Sequence, residues 1–262
     1  MSEARRRVAI VTGAGRGIGR AISRALAQRG HVVIGVSRTS SDLAETTASV
    51  KAPARMQALR ADVSAPGEVE GLFTEVTRTF GGVDILVCSH GTYVGGVNAL
   101  GLSLEQFDMT LRVNLRACLQ CAQLAGRAMR DGSRGGRIVF ISSMNAEASQ
   151  PGAVDYDTSK AALNGLTRAL AIELAPYRIT VNAIAPGWIR TPMSESELLE
   201  LDRDGMVMNP LHHVGRPEDI ALAALWLTDE ANGYTTGAVI PVDGGQRAML
   251  PLPWAPDRDN VV

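Results

Sequence analysis

Short apolar runs recur along the chain and alternate with segments whose apolar positions follow helical spacing. Seven runs rich in β-branched residues predict strands, at residues 7–13, 31–37, 54–62, 83–89, 136–142, 179–187 and 237–245. The intervening segments predict helices, among them Ile18–Arg29, Pro66–Phe80, Phe107–Met129, Ser159–Ala175 and Pro217–Thr228. Strands that alternate with helices form βαβ units, and strands that are apolar almost throughout belong to parallel sheets covered on both faces. The pattern therefore predicts a doubly wound α/β domain.

Two segments depart from this alternation. Residues 188–212 mix amphipathic and helix-breaking positions between the sixth strand and the last long helix, which is typical of a mobile lid. Residues 246–262 contain closely spaced prolines and predict an irregular tail that frays or packs on a neighbouring subunit. No linker or repeat divides the rest, so we predict one domain over residues 1–245, lid included, followed by the tail of the same domain.

The composition restricts the partners of the chain. With 262 residues, 45% hydrophobic residues and a formal net charge of −1, the chain can form a full core and has no basic excess for nucleic acid. No apolar run approaches the ~20 residues of a membrane span, and no secretion signal follows the start. The cluster Arg5–Arg7 is too short to suggest more than a solvated chain end. We expect a cytoplasmic protein that contacts neither nucleic acid nor membrane.

The cysteines and histidines give no expectation of a metal. Three cysteines, Cys88, Cys118 and Cys121, form no disulfide framework by their count and spacing, which favours a reducing compartment. Cys118 and Cys121 lie three residues apart on a predicted helix, and we interpret them as small apolar fillers. The pair His212 and His213 has no third ligand readable nearby, so we interpret it as part of a loop.

A glycine-rich turn follows the first strand and opens the first helix. It has the form Thr-Gly-x-x-x-Gly-x-Gly from Thr12 to Gly19. Glycines let the backbone turn sharply and approach a ligand, and the free N–H groups at a helix N-terminus favour a phosphate. In this strand–turn–helix context the motif predicts a dinucleotide-binding cradle. Taken alone, the glycines are also compatible with a plain βα turn.

The end of the second predicted strand indicates which dinucleotide binds. NAD-binding sites place an acidic residue there to bond the ribose hydroxyls. This chain has Ser37 and Arg38 instead, and the nearest acid, Asp42, falls in the following segment. A guanidinium pairs with a 2′-phosphate and stacks on adenine, so we predict NADP(H), with NAD(H) as the alternative. The competing interpretation of Arg38 is a solvated loop arginine.

Tyr156 and Lys160 are four residues apart, which places them on one face of a predicted helix. A free phenol has a pKa of about 10, and a neighbouring ammonium lowers it. The pair is therefore suited to passing protons during reduction of a carbonyl. Ser142 and Ser143 end the fifth predicted strand, where side chains face the ligand crevice. Tyr-x-x-x-Lys alone is also frequent on ordinary helix surfaces.

Together these motifs resemble the short-chain dehydrogenase/reductase family, in particular its 3-oxoacyl-reductase-like and sugar-dehydrogenase-like members. The resemblance covers about residues 7 to 245. The stretches that carry it are "TGAGRGIG", "ADVS", "VNL", "ISS", "YDTSK", "NAIAPGWIRTPM", "GRPEDIA" and "TGAVIPVDGG". It implies a Rossmann-type fold with a seven-stranded parallel sheet, and a homotetramer built through the long helices after the fourth and fifth strands.

The resemblance also implies roles for single residues. Tyr156 would be the general acid/base, and Lys160 would lower its pKa and bond the nicotinamide ribose. Ser143 would polarise the substrate oxygen, and Asn114 would anchor a water in the proton relay. Asp62 and Val63 would contact adenine, and Ile189 and Thr191 would hold the carboxamide. The residues assigned to the cofactor are Gly13, Gly15, Arg16, Gly17, Ile18, Gly19, Ser37, Arg38, Asp62, Val63, Ser89, Gly91, Tyr156, Lys160, Pro186, Gly187, Ile189 and Thr191.

The sequence departs from the family after the fourth strand. Where the family commonly has Asn-Asn-Ala-Gly, this chain has Cys88, Ser89, His90 and Gly91. Gly91 keeps the close backbone approach to the cofactor. His90 either packs structurally or touches the ribose or the substrate.

We expect an NADP(H)-dependent oxidoreductase that interconverts a ketone and a secondary alcohol. The alternatives are a polyol- or sugar-type dehydrogenase that works oxidatively and a non-catalytic scaffold that senses NADP(H). The substrate pocket should lie between Ser143, the segment Met144–Ala153 and the lid. Asn145, Glu147 and Gln150 either indicate a polar or hydroxylated substrate or simply face water.

Overall fold

A parallel seven-stranded sheet forms the centre of the protein. The computed structural model describes residues 6–50, 55–203 and 209–249, and in it the strand order is β3-β2-β1-β4-β5-β6-β7. Each strand lies within one of the seven apolar runs, so the predicted Rossmann-type fold is confirmed. The strands are β1 (Val8–Thr12), β2 (Val32–Ser37), β3 (Met56–Arg60), β4 (Ile85–Cys88), β5 (Gly136–Ile141), β6 (Ile179–Pro186) and β7 (Val239–Val242).

Helices cover both faces of the sheet. The described helices are α1 (Gly17–Gln28), α2 (Ser40–Ala48), α3 (Pro66–Phe80), α4 (Leu104–Leu111), α5 (Ala117–Asp131), α6 (Val154–Leu174), α7 (Glu195–Arg203) and α8 (Pro217–Thr228). Strand β4 shows why its sequence is apolar throughout. Leu86 and Cys88 join the core under α3, α5 and α6, whereas Ile85 and Val87 join the core under α1 and α8. Successive side chains of a strand point to opposite faces, so a doubly covered strand buries them all.

The order of the strands reverses between β1 and β4. The chain runs outward from β1 through β2 to β3 and then returns to pair β4 with the other edge of β1, where Thr12 lies opposite Cys88. In open parallel sheets ligands bind at the carboxyl ends of the strands beside such a reversal. The fold therefore fixes the place of the site before any side chain is considered.

The predicted helix Phe107–Met129 is interrupted. Between α4 and α5 the residues Arg112–Arg116 form one turn of π-helix. Such turns place one extra residue in a helix and often lie at functional sites. The buried residue of this turn is Asn114. The helical pattern before and after it hides the interruption in the sequence.

Two details at the chain ends differ from the sequence interpretation. Arg7 is not a solvated end but is 5% exposed, and its guanidinium donates to the carbonyl oxygens of Thr228 and Asp84 at 2.6 and 3.3 Å. Residues 246–248 of the predicted tail form a short 3-10 turn, and residues 250–262 lie outside the described residues. Within the described part of the chain, no helix combines the length and apolar character that crossing a membrane requires.

Candidate active site

A cavity of about 280 Å³ opens at the carboxyl edge of the sheet, beside the reversal of strand order. Every residue that the sequence interpretation assigned to the cofactor lines this cavity, from Gly13 and Arg38 to Tyr156 and Thr191. Ser143 and Lys160 line it as well. Asn114 does not line the cavity and lies behind it. The structure thus gathers predicted residues from 13 to 191 along the chain around one space.

The glycine-rich turn has no room for side chains. Gly13 and Gly17 have φ angles of +69° and +52°, in the left-handed region that favours glycine. A Cβ on Gly13 would lie 2.8 Å from the backbone nitrogen of His90, and a Cβ on Gly19 would overlap the carbonyl oxygen of Gly13. The turn therefore packs directly on the loop after β4. The first residues of α1, Gly17 to Gly19, line the cavity.

Basic and acidic side chains meet at the far end of the cavity, after β2 and β3. Arg38 is exposed and lines the cavity together with Asp62. Burial alone would raise the pKa of Asp62, but hydrogen bonds from Ser64 and the charge of Arg38 lower it. Asp42 packs against Gly15 and is not among the residues that line the cavity.

The Tyr156 phenol and the Lys160 ammonium share the cavity wall. Lys160 Nζ donates to the carbonyl oxygen of Ile141 at 2.8 Å and lies 5.5 Å from the centre of the Tyr156 ring. Burial raises the pKa of Tyr156 to about 12, although a hydrogen bond with Ser143 acts in the opposite direction. Burial lowers the pKa of Lys160 to about 8. The pKa of the phenol is thus raised overall because desolvation is the largest influence on it, and the role of Lys160 in lowering that pKa stays a prediction.

Asn114 is held by three hydrogen bonds. Its Oδ1 accepts from the Thr92 nitrogen at 2.8 Å, and its Nδ2 donates to the Thr92 carbonyl and to Ser159 Oγ, each at 3.0 Å. The π turn thereby clamps the loop that follows Gly91 to helix α6. Its role in anchoring a water stays a prediction. Ser142, interpreted as the bland neighbour of Ser143, donates to Asn164 Oδ1 at 2.7 Å and packs at the strand end.

Two side chains at the substrate end of the cavity, Tyr93 and Glu197, were missed by sequence reasoning. Tyr93 contacts Tyr156 edge-on, with ring centres 5.1 Å apart. Its hydroxyl accepts from Gln150 Nε2 at 2.8 Å and bonds the carboxylate of Glu197 on α7. The network joins the loop after β4, the segment before α6 and the predicted lid. No spacing in the sequence relates these positions.

The segment Met144–Ala153 is fixed by an aspartate that the sequence interpretation passed over. Asp157 accepts from Asn145 Nδ2 at 2.7 Å and from the Gln150 nitrogen at 3.3 Å. Asn145 and Gln150 line the cavity. Glu147 instead pairs with Arg247 at 2.5 Å. Asn145 and Gln150 are therefore placed to meet a polar substrate. Glu147 instead holds the residues after β7.

His90 is buried and also borders the cavity. It is 8% exposed, and its Nδ1 lies 2.6 Å from Thr12 Oγ1. The other ring nitrogen, Nε2, lies 3.5 Å from Cys118 Sγ. The expected structural packing of His90 is therefore present.

Comparisons with known proteins agree with this geometry. The family described as Enoyl-(Acyl carrier protein) reductase matches residues 13–247. The chain is 38% identical to the short-chain reductase protein NovJ of Streptomyces niveus, over 91% of this chain and 93% of that protein. It is 37% identical to the 3-oxoacyl-[acyl-carrier-protein] reductase FabG of Aquifex aeolicus, over 91% and 96% of the two chains.

Solved structures give the same result. A short-chain type dehydrogenase/reductase from Mycobacterium marinum superposes with a TM-score of 0.87 at 35% identity, covering 93% of this chain and 96% of that one. The chain belongs to the short-chain dehydrogenase/reductase family. It is an oxidoreductase of this family, whose members use nicotinamide cofactors and act on small molecules.

Proposed function

We propose that this protein reduces a ketone to a secondary alcohol with NADPH, and that Tyr156 donates the proton. The observation that carries the proposal is that Ser143 and Tyr156 lie close enough to interact in the wall of a cavity that the glycine-rich turn also borders. When bound, the nicotinamide supplies the hydride. The protein then has to orient the carbonyl and deliver a proton to its oxygen.

The protonation state of Tyr156 favours reduction. A phenol with a pKa of about 12 carries its proton at neutral pH, which is the form that donates to a developing alkoxide. The Ser143 hydroxyl lies beside it and can hold the same oxygen. Oxidation of an alcohol would begin from the phenolate, which burial disfavours in this site.

The cavity wall fits a nicotinamide dinucleotide. The glycine-rich turn at the start of α1 suits a pyrophosphate. Lys160 is 4% exposed and has three N–H donors, and among the described residues one acceptor, Ile141 O, is assigned to it. Its other donors are available to ribose hydroxyls. Arg38 at the far end suits a 2′-phosphate, which supports NADP(H) over NAD(H).

The substrate end of the cavity favours a ketone on an apolar, flat body that carries polar substituents. Met144, Met193 and Trp188 line it together with the Tyr93 ring, and Gln150 and Glu197 add hydrogen-bonding groups. Relatives named as hydroxynaphthalene reductases, such as Arp2 of Metarhizium brunneum at 36% identity, are compatible with such a substrate. The alternative is a 3-oxoacyl substrate like that in the name of the Aquifex protein.

The test is a spectrophotometric assay of NADPH oxidation with bicyclic hydroxy-ketones and with 3-oxoacyl thioesters. We expect turnover with the first group and a 10²–10⁴-fold loss of kcat in Tyr156→Phe. Unchanged turnover in that variant would overturn the mechanism.

Comparison of kcat/KM for NADPH and NADH in the wild type and in Arg38→Asp tests the cofactor preference. A wild type that prefers NADH would contradict the assignment.

The sensor and the oxidative dehydrogenase remain the competing functions. Cofactor binding without turnover on any substrate would favour the sensor, and faster alcohol oxidation at neutral pH would favour the dehydrogenase.

We also propose that the protein forms a homotetramer in the cytoplasm. Exposed apolar side chains on α6 and α8, namely Ile172, Leu222 and Trp226, support assembly through these helices.

A further inference from the structure

Three cysteines and a histidine meet behind the cavity, between the end of β4 and the first turns of α5. The sulfurs of Cys88 and Cys118 and a ring nitrogen of His90 all lie within 4.8 Å of one another. Cys121, one turn further along α5, lies in the same buried cluster and influences the Cys88 thiol. The three cysteines are at most 1% exposed. We propose that these four residues form a binding site for a thiophilic divalent metal ion, with Zn²⁺ as its natural occupant.

The ligand types and spacing suit zinc. Thiolates and imidazoles in a set of four are the usual donors of structural zinc sites. The chain supplies them as two short pairs, Cys88-x-His90 after a strand and Cys118-x-x-Cys121 on a helix. Packing of α5 beside β4 brings the pairs together. The first pair, Cys88 and His90, stands after the fourth strand where the family commonly has asparagine and alanine, so this half of the site would belong to this chain rather than to the fold.

The one distance that can be compared with a metal site agrees with it. In a tetrahedral zinc site with Zn–S near 2.3 Å and Zn–N near 2.0–2.1 Å, sulfur and nitrogen lie about 3.5 Å apart. Cys118 Sγ and His90 Nε2 are separated by 3.5 Å. Complete coordination requires the Cys88 and Cys121 sulfurs to move toward the same point.

His90 is oriented as metal-binding histidines are. Thr12 Oγ1 donates to the carbonyl oxygen of Val87 at 3.3 Å, so its lone pair is available to the His90 Nδ1–H at 2.6 Å. That contact places the lone pair of Nε2 toward Cys118. A hydrogen bond on the second ring nitrogen is the usual device that fixes the tautomer and direction of a metal-binding imidazole.

The charge balance of the surroundings is favourable. Lys160 interacts electrostatically with Cys118 and His90, so an isolated cation beside it would be repelled. A zinc ion bound by three thiolates carries one net negative charge and would instead attract the ammonium. The site would also stabilise the glycine-rich turn, because the backbone nitrogen of His90 lies directly under Gly13.

Metal binding to the purified full chain tests the proposal. The protein is prepared without a histidine tag, reduced with a phosphine and freed of metal, and Zn²⁺ per chain is then measured by mass spectrometry after loading and gel filtration. We expect one Zn²⁺ per chain, a Zn²⁺-dependent rise in Tm, and an intense thiolate-to-metal absorption when Co²⁺ replaces Zn²⁺. Less than one tenth of an equivalent of Zn²⁺, or a Co²⁺ complex without that absorption, would overturn the proposal.

Variants locate the site. Cys118→Ala and His90→Ala should each weaken Zn²⁺ binding at least tenfold, and Thr12→Val should weaken it about 10–100-fold by freeing the imidazole. His213→Ala removes an exposed histidine outside the cluster and should bind as the wild type does. Wild-type affinity in Cys118→Ala or His90→Ala would place the metal elsewhere and contradict the proposal. None of these measurements depends on turnover, so they stand apart from the test of ketone reduction.

Discussion

The ammonium of Lys160 lies over the ring of Tyr156. Nζ is 5.5 Å from the ring centre and is hydrogen-bonded to the carbonyl of Ile141. Both groups lose solvation in the same wall of the cavity, and each therefore shifts toward its neutral form. The pair combines a phenol that keeps its proton with an ammonium that is close to losing one.

This arrangement predicts the pH dependence of ketone reduction. Tyr156 stays protonated up to a pKa of about 12, whereas Lys160, with a pKa of about 8, loses its charge first. We expect kcat/KM to be level at neutral pH and to fall above pH 8. The pH profile of kcat/KM for NADPH reports groups of the free enzyme, whereas that for the ketone at saturating NADPH reports groups of the enzyme–NADPH complex. Both profiles should therefore be measured and compared.

Lys160→Arg serves as the control for that profile. A guanidinium does not deprotonate in the accessible range, so the falling limb should move to higher pH even where the absolute rate is lower. A limb that stays at pH 8 in this variant would assign the titration to another group.

The same ammonium predicts a pH-dependent stability. Below pH 8 Lys160 is protonated in both the folded and the unfolded chain, and burial of its charge lowers the free energy of unfolding. Between pH 8 and 10.5 the unfolded chain binds more protons, so the stability of the wild type rises with pH. Relative to Lys160→Met, the free energy of unfolding of the wild type should rise by about 3 kcal/mol across this interval. Urea unfolding at pH 7 and pH 11 measures it, and a constant difference would refute the buried charge.

Gly19→Ala should disable the glycine-rich turn. The added Cβ would overlap the Gly13 carbonyl oxygen, so the turn must open, and we expect loss of NADPH binding at least tenfold in Kd together with a lower Tm. Gly71→Ala is the matched control, because nothing lies within 4 Å of a Cβ at this exposed position in α3. It should stabilise the protein by about 0.5–1 kcal/mol and leave Kd unchanged. Equal effects of the two variants would contradict the steric argument.

Asp157→Ala should weaken substrate binding more than cofactor binding. The substitution frees Asn145 and Gln150, which Asp157 fixes in the cavity wall. We expect KM for the ketone to rise about tenfold while Kd for NADPH stays within twofold. Asp131→Ala, at an exposed aspartate paired with Arg130, should change neither. A rise in Kd for NADPH of the same size as the rise in KM would show that Asp157 supports the whole site.

The sequence was sufficient where local chemistry carries the information. Most of the seven strands are nearly continuous apolar runs, and the glycine-rich turn and the Tyr-x-x-x-Lys pair are contiguous motifs. It was insufficient where distant elements meet. The Tyr93–Gln150–Glu197 network joins two loops and helix α7, and the pKa of Tyr156 depends on how deeply the phenol is covered. The two short ligand pairs at Cys88 and Cys118 were readable as spacings, but they acquire meaning once α5 packs beside β4.

The π turn at Arg112–Arg116 fixes the number of residues between the start of α4 and the end of α5. One residue advances a helix by about 100°, so a chain with one residue fewer between α4 and α5 would close the turn into regular helix. Asn114 would then rotate off the Thr92 backbone and Ser159, or α4 would rotate away from α6. Surface loops generally accept insertions and deletions. In this helix the number of residues has to stay the same, because the contacts of Asn114 depend on it.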